Sequence, residues 1–434
     1  MKENKNLKRT GVFWAVTIGY GLFYVCRLSF NVLKKNIVDD GLLTESELGI
    51  IGSALFFSYA IGKLVNGSLA DRLNIRYFMS GALLICALVN LVLGFKMPFY
   101  LFVGLWAING WFQSVGSPSS VVGLKRWFKG DNFGSVYGYW SASHNIGGSL
   151  TYLIVGTVVG TYGWQAGFFS ASFMGLVGAL MVFFLLIPFP FSSNTSIDID
   201  APLVANKNVG KKQLEVLKNP MIWMLAASSS FMYVARYAMD SWGIFYFQIE
   251  KGYNIKEASM LIALNTGFGV LGTVSSGLIS EKLFKGNRTL MALILSAMNL
   301  IALCVFLMVP NGILAVDVFC MVLFGISIGA LICFLGGLMA VDIAPAEATG
   351  MAIGVIGIAS YIGAGIQDII SGWLIESQKT LVNGVGHYDF SHFRYFWLAS
   401  AAISLSLLFI IWNIAKNKKR NQSETSINVD TNLN

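Results

Sequence analysis

Hydrophobic residues run along this chain in blocks of about 20, the length a helix needs to cross the hydrocarbon core of a bilayer, with short polar segments between them. Twelve such blocks are legible, at 11–33, 48–69, 77–96, 99–122, 135–159, 166–189, 221–247, 258–281, 290–309, 312–341, 349–374 and 394–415. The pattern predicts an all-α membrane protein with twelve transmembrane helices. The first block is too long for a cleavable signal peptide, contains Arg27 and lacks a small-residue cleavage site followed by polar sequence, so it is expected to stay as the first span. The longest polar interruption, SSNTSIDIDAPLVANKNVGKKQLEVLKNP (192–220), is mixed in charge and too hydrophilic to cross. It reads as a linker between six-helix halves at 1–191 and 221–415, with a tail at 416–434.

Composition agrees with the pattern. Of 434 residues, 55% are hydrophobic and 12% charged, against about 25% charged in a soluble domain. The net charge of +8 does not point to nucleic acid, because the lysines and arginines are dispersed among short loops. They report orientation instead. With the N-terminus inside, the cytoplasmic segments hold twenty lysines and arginines and the opposite loops seven: Lys34, Lys35, Lys96, Lys251, Lys256, Lys379 and Arg394. The positive-inside rule then places both termini in the cytoplasm. All five cysteines (Cys26, Cys86, Cys304, Cys320, Cys333) lie in apolar blocks without CxxC or metal-ligand spacing, and read as packing residues.

The halves look alike. GSLADRLNIR (67–76) follows the second block and GLISEKLFKGNR (277–288) follows the eighth, each a small residue, an acid and then bases at a turn. One copy alone would be the basic flank of any helix leaving the membrane on that side. Two at equivalent places point to a parallel repeat, a construction that puts a transporter's substrate site at the midplane between the halves.

Arg27, Lys63 and Arg236 stand within spans. A charge at mid-membrane costs about 2.5–3.5 kcal/mol on insertion scales, so it is kept for a buried partner or a ligand. Tyr24-x-x-Arg27 and Tyr233-x-x-Arg236 share a spacing that sets ring and guanidinium on one helix face. Under the repeat the two faces meet, and two facing guanidiniums repel unless an anion lies between them. Their forks match phosphate or carboxylate oxygens, phosphate being the expected ligand. The alternative is a fixed acid for each arginine: Asp240 stands four residues from Arg236, whereas Arg27 has no acid in its own span. His144, the one histidine inside a span, is either a helix–helix hydrogen bond or a proton-linked ligand of a titrating phosphate. Lys63 is expected to snorkel to the cytoplasmic surface. Asp368 either shapes sugar selectivity or caps a polar contact.

GYGLFYVCRLSF (19–30), NGWFQSVGSPSS (109–120), SASHNIGG (141–148), YVARY (233–237) and KLFKGNR (282–288) follow one another over nearly the whole chain. In this combination the sequence resembles the organophosphate:phosphate antiporter family of the major facilitator superfamily. GSP in the fourth block and NIRYFM after the second are similar to its hexose-phosphate transporter and sensor branch. The resemblance implies a major facilitator fold of two pseudo-symmetric halves in the cytoplasmic (inner) membrane. It implies that Arg27 and Arg236 clamp the phosphate, that His144 lies beside it, and that Tyr20, Tyr24, Tyr233 and Gln113 line the cavity. It implies exchange of an external sugar phosphate, hexose phosphate or glycerol phosphate, for internal inorganic phosphate. The chain departs from the family at Leu28, where members often carry lysine, at Asn265 or Thr266, where they carry an acid, and at Ser241, with Asp240 one place early.

The expected partners are organic phosphate, inorganic phosphate and the bilayer, with no nucleic acid, no cofactor, no metal and a monomeric state. The second reading is a receptor that detects external hexose phosphate for a partner histidine kinase. A proton-coupled sugar transporter would call for an embedded acid facing the first-half cavity, which the sequence does not show. No nucleophile–base pair marks an enzyme.

Overall fold

The computed structural model describes residues 2–128, 133–187, 209–282, 287–309, 313–345, 348–382 and 385–431. In chain order the helices are α1 (Lys2–Asp39), α2 (Glu45–Arg72), α3 (Ile75–Leu93), α4 (Phe99–Gln113), α5 (Gly116–Trp127), α6 (Phe133–Ser141), α7 (Ser143–Tyr162) and α8 (Trp164–Leu185). They continue as α9 (Val209–Lys218), α10 (Pro220–Ile249), α11 (Ile255–Lys282), α12 (Arg288–Met308), α13 (Leu314–Cys333), α14 (Met339–Ile343), α15 (Thr349–Ser377) and α16 (Ser391–Thr431). A two-stranded antiparallel hairpin, β1 (Lys379–Val382) and β2 (Val385–Tyr388), joins α15 to α16.

Each apolar block is mostly helical where it is described, and nine helical segments among the described residues are long and apolar enough to cross a membrane. The remaining three have visible reasons for falling short. The fourth block breaks at Ser114 and Val115 into α4 and α5, the fifth breaks at Ala142 into α6 and α7, and α10 carries SSS, Arg236 and Asp240. The tenth block holds a π-helical turn at Phe334–Leu338. Of the expected linker, 192–208 lies outside the described residues, as does 283–286 of the second repeat motif. Residues 209–218 of the expected linker form α9, which buries Val216.

Helix starts follow capping chemistry. Thr44 and Glu47 form a capping box on α2, while Asn74, Asn219 and Asn287 accept backbone N–H groups at the starts of α3, α10 and α12. Gly41, Gly163 and Gly252 take positive φ in the short turns at one end of the molecule.

In the first half α1 packs on α7 and α8, α2 on α4, and α3 on α8; in the second, α10 packs on α15 and α16, and α13 on α11 and α12. Across the halves α2 meets α15, α7 meets α11, and α1 meets α10. Small residues permit the closest approaches, as between helices in membranes generally: a Cβ on Gly147 would lie 2.4 Å from the Gly21 carbonyl oxygen. The outer surface exposes Tyr100, Phe173, Phe184, Phe319 and Trp373, the apolar face a lipid-embedded protein presents. All five cysteines are free.

One sequence expectation is overturned here. Lys34, assigned to an outer loop, lies inside α1, which runs six residues past the first block, and its side chain is fully buried. It therefore does not belong in the loop count. The helix continues because Lys34 finds a buried carboxylate that compensates its charge.

A buried arginine pair in an aromatic cage

Tyr20, Tyr24 and Arg27 fall at i, i+4 and i+7 of α1, so they share one face; Tyr233, Arg236, Tyr237 and Asp240 do the same on α10. Contact between α1 and α10 brings the faces together. Both guanidiniums are buried, Arg27 at 4% exposure and Arg236 at 8%. They share Tyr237: Arg27 Nη2 donates to its hydroxyl at 2.9 Å, and Arg236 Cζ lies 5.0 Å from its ring centroid. The predicted pairing of the two arginines in one site is thus a pairing through a ring that sequence reasoning did not single out.

The cage around Arg27 is aromatic. Its Cζ lies 4.9 Å from the Tyr59 ring, 5.3 Å from Phe56, 5.5 Å from Tyr237, 5.6 Å from Tyr361 and 5.7 Å from Tyr24. These π faces attract the cation but neutralise none of its charge. Phe56 and Tyr59 come from α2, and Tyr361 from α15, so four helices close round one guanidinium. Tyr361 packs on Tyr59 and Tyr233, and Phe56 on Tyr237. Tyr20 stacks on Trp140 of α6, and the His144 ring lies 5.6 Å from that of Tyr24. His144 Nδ1 pairs with the Ser141 carbonyl oxygen, so its Nε2 is the ring nitrogen left to other partners.

Four cations are buried among the described residues: Arg27, Lys34, Arg236 and Lys251. Lys34 pairs with Asp368 at 2.9 Å, Lys251 with Asp317 at 3.3 Å, and Arg236 Nε with Asp240 at 3.4 Å. The remaining buried acid, Glu45, is taken by Lys379 and Tyr388 at 2.9 and 2.6 Å. Arg27 alone of the four has no carboxylate within ion-pair reach among the described residues. A fixed acid therefore accounts for Arg236, as the sequence allowed, and not for Arg27.

Other sequence candidates lie elsewhere. Gln113 is buried behind α1, where its amide nitrogen donates to the Phe23 carbonyl at 2.8 Å. With Asn90 and Asn109, which both donate to the Cys26 carbonyl, it grips the side of α1 turned away from the cage. Asp368 sits two helical turns beyond Tyr361 on α15, beside Lys34. Lys63 is exposed, its Nζ 5.7 Å from the Tyr361 ring, lining a cavity of about 200 Å³ with Gly354 and Gly357. Leu28 and Thr266, two of the positions singled out in the sequence, both border Gly148: a Cβ there would lie 3.2 Å from Leu28 and 2.8 Å from Thr266.

The aromatic partners Phe56, Tyr59, Tyr237 and Tyr361 were missed. Tyr237 had a signal, since it follows Tyr233 by four residues on the arginine face. At the end of the molecule that holds the hairpin, burial and the hydrogen bond to Glu45 push the Tyr388 phenol well above its ordinary value.

A sequence model of the Major Facilitator Superfamily matches residues 16–368. The membrane sensor protein UhpC of Salmonella typhimurium LT2 is 30% identical over 88% of this chain and 87% of its own. A probable hexose phosphate transport protein of Chlamydia trachomatis is 28% identical over 98% and 95%, and the glycerol-3-phosphate transporter of Bacillus subtilis 168 is 28% identical over 94% and 93%. Among solved structures, a bacterial homolog to the human lysosomal transporter Spinster, inward-facing and unoccupied, matches in fold with a TM-score of 0.75 at 15% identity, over 94% of this chain and 97% of that one.

Proposed function

Because the chain belongs to the Major Facilitator Superfamily, a multi-pass membrane transporter and not an enzyme, we propose that it exchanges an external sugar phosphate for internal inorganic phosphate across the cytoplasmic membrane by alternating access. In this reading twelve spans cross the membrane with both termini inside, and the two six-helix halves rock about the arginine pair.

The observation that carries the reading is the unmatched charge of Arg27. A buried guanidinium surrounded by rings, with a single hydroxyl accepting from it, retains donors that suit the oxygens of an anion. Arg236 supplies the second fork once the anion competes with Asp240, and His144 supplies a ring nitrogen beside Tyr24. The hexose and glycerol phosphates named for the Chlamydia and Bacillus relatives share the phosphate such a site would hold. The test is counterflow in proteoliposomes loaded with labelled inorganic phosphate. External hexose phosphate or glycerol phosphate should drive rapid efflux, while phosphate-free medium should not, because the empty site leaves the buried charge of Arg27 without a counter-charge. Efflux that ignores the external anion contradicts obligate exchange.

A second reading, a receptor that reports external hexose phosphate to a histidine kinase, is favoured by the likeness to the sensor UhpC. Saturable hexose phosphate binding without counterflow would select it.

A further inference from the structure

Phosphate exchange makes no use of the most completely buried ion pair in the described structure. Lys34 stands seven residues beyond Arg27 on α1, about two turns along the same face. Its Nζ donates to Asp368 Oδ1 at 2.9 Å and to Ser241 Oγ at 2.7 Å, and lies 3.8 Å from the Trp242 ring centroid. Asp368 Oδ1 also accepts from Ser241 Oγ at 2.7 Å and from Trp242 Nε1 at 2.6 Å. The node joins α1 of the first half to α10 and α15 of the second.

The carboxylate is seated on a third element. A Cβ on Gly52 of α2 would fall 1.7 Å from Asp368 Oδ2, and one on Gly49 would fall 2.4 Å from the Asp368 carbonyl oxygen. Helix α2 therefore needs glycine at both positions for α15 to close on it. At the same end Glu45 of α2 takes Lys379 and Tyr388 of the hairpin, and Glu376 of α15 accepts the Ser46 N–H at 2.8 Å. Each of these contacts runs from one half to the other, so separating the halves at this end breaks all of them. The charges of Lys34 and Asp368 tolerate burial only while paired, and water reaching an opened end would solvate both.

We propose that the Lys34–Asp368 pair, seated on Gly52, is a charge lock that holds this end of the transporter shut and opens once in each cycle, setting the populations of the two facing states without touching the transported anion. The lock rests on the alternating-access reading of the previous subsection. Its strength depends on state: full when the halves are closed here, nearly nil when they part.

The test measures the distance across this end. Spin labels at Tyr162→Cys on α7 and Lys256→Cys on α11, in a background with the five native cysteines replaced, report it by double electron–electron resonance in phosphate-free detergent. Lys34→Met or Asp368→Asn strands one buried charge and should raise the ratio of long to short distances by roughly tenfold or more. The double variant Lys34→Met/Asp368→Asn buries no charge and keeps an acceptor for Ser241 and Trp242, so the ratio should return towards that of the parent. Gly52→Ala, with both charges intact, should also open this end, because its methyl displaces the carboxylate. Single variants with the parental distribution, or a double variant as open as the singles, overturn the lock. If the singles do not fold, a Gly52→Ala protein that stays shut overturns it equally. Variants that open as described, alongside a parent protein that shows no phosphate counterflow, would instead refute the exchange reading.

Discussion

Arg27 and Lys34 stand on one face of α1, both buried, and the fold treats them in opposite ways. Lys34 has a carboxylate, a hydroxyl and an indole ring around its ammonium, and the carboxylate is itself held by two further donors. Arg27 has five rings, one of which also accepts a hydrogen bond from it through its hydroxyl, and no acid within ion-pair reach among the described residues. Burial of a charge is therefore not the mark of a binding site. The mark we propose is burial without an internal counter-charge, which a bound ligand would complete.

The comparison is sharpest in stability. Lys34→Met leaves Asp368 buried and unpaired, and the loss should be about 3–5 kcal/mol, whereas Arg27→Met strands no acid and should leave the melting temperature unchanged or raised while exchange is lost. Thermal unfolding of the two purified variants decides this, and a Lys34→Met protein as stable as Arg27→Met breaks the contrast. His144→Gln keeps a donor near Tyr24 in altered geometry. It should weaken phosphate binding about two- to tenfold, the worth of one ordinary hydrogen bond, and an unchanged affinity would remove His144 from the site. Asp240→Asn tests whether Arg236 is partly occupied: relieving its competitor should tighten phosphate binding a few-fold (roughly two to five), and weaker binding would show that Asp240 orients the arginine instead.

The smallest effect belongs to the hairpin end. Hydrogen bonds from the Ser391 hydroxyl and backbone hold the Asp389 carboxyl below its usual range. A depressed folded-state value gives stability that is present above the unfolded value of about 3.9 and lost as pH falls through the folded one. Ser391→Ala should therefore lower stability slightly at neutral pH and flatten the acid limb of the stability profile. An acid limb matching the parent protein would contradict the assignment.

Much of the fold was legible because lipid imposes a length on every span: the apolar blocks located the helices, and the resemblance to the organophosphate:phosphate family is borne out by the family model and the relatives. The breaks at Ser114 and Ala142 were not, since a turn inside an apolar run leaves no polar gap. Arg27 and Arg236 were visible as charges among apolar neighbours. Tyr59, Phe56 and Tyr361 were not, because an aromatic residue in a membrane helix looks the same whether it faces a cation or a lipid. Lys34 was misread because hydropathy ends the first block at Leu33, while the acid that carries the helix further lies on α15, 334 positions away. A pairing at that range has no local signature.

We propose that Arg27, buried without a carboxylate in reach among the described residues, holds the anion. Equilibrium binding of inorganic phosphate to the purified protein, compared between the parent and Arg27→Lys, tests it most directly. The substitution keeps the charge and removes the fork, so binding should weaken on the order of 10- to 100-fold, the worth of a charge-assisted hydrogen bond, with the fold intact. A folded Arg27→Lys protein that binds phosphate as tightly as the parent would show that Arg27 does not hold the anion.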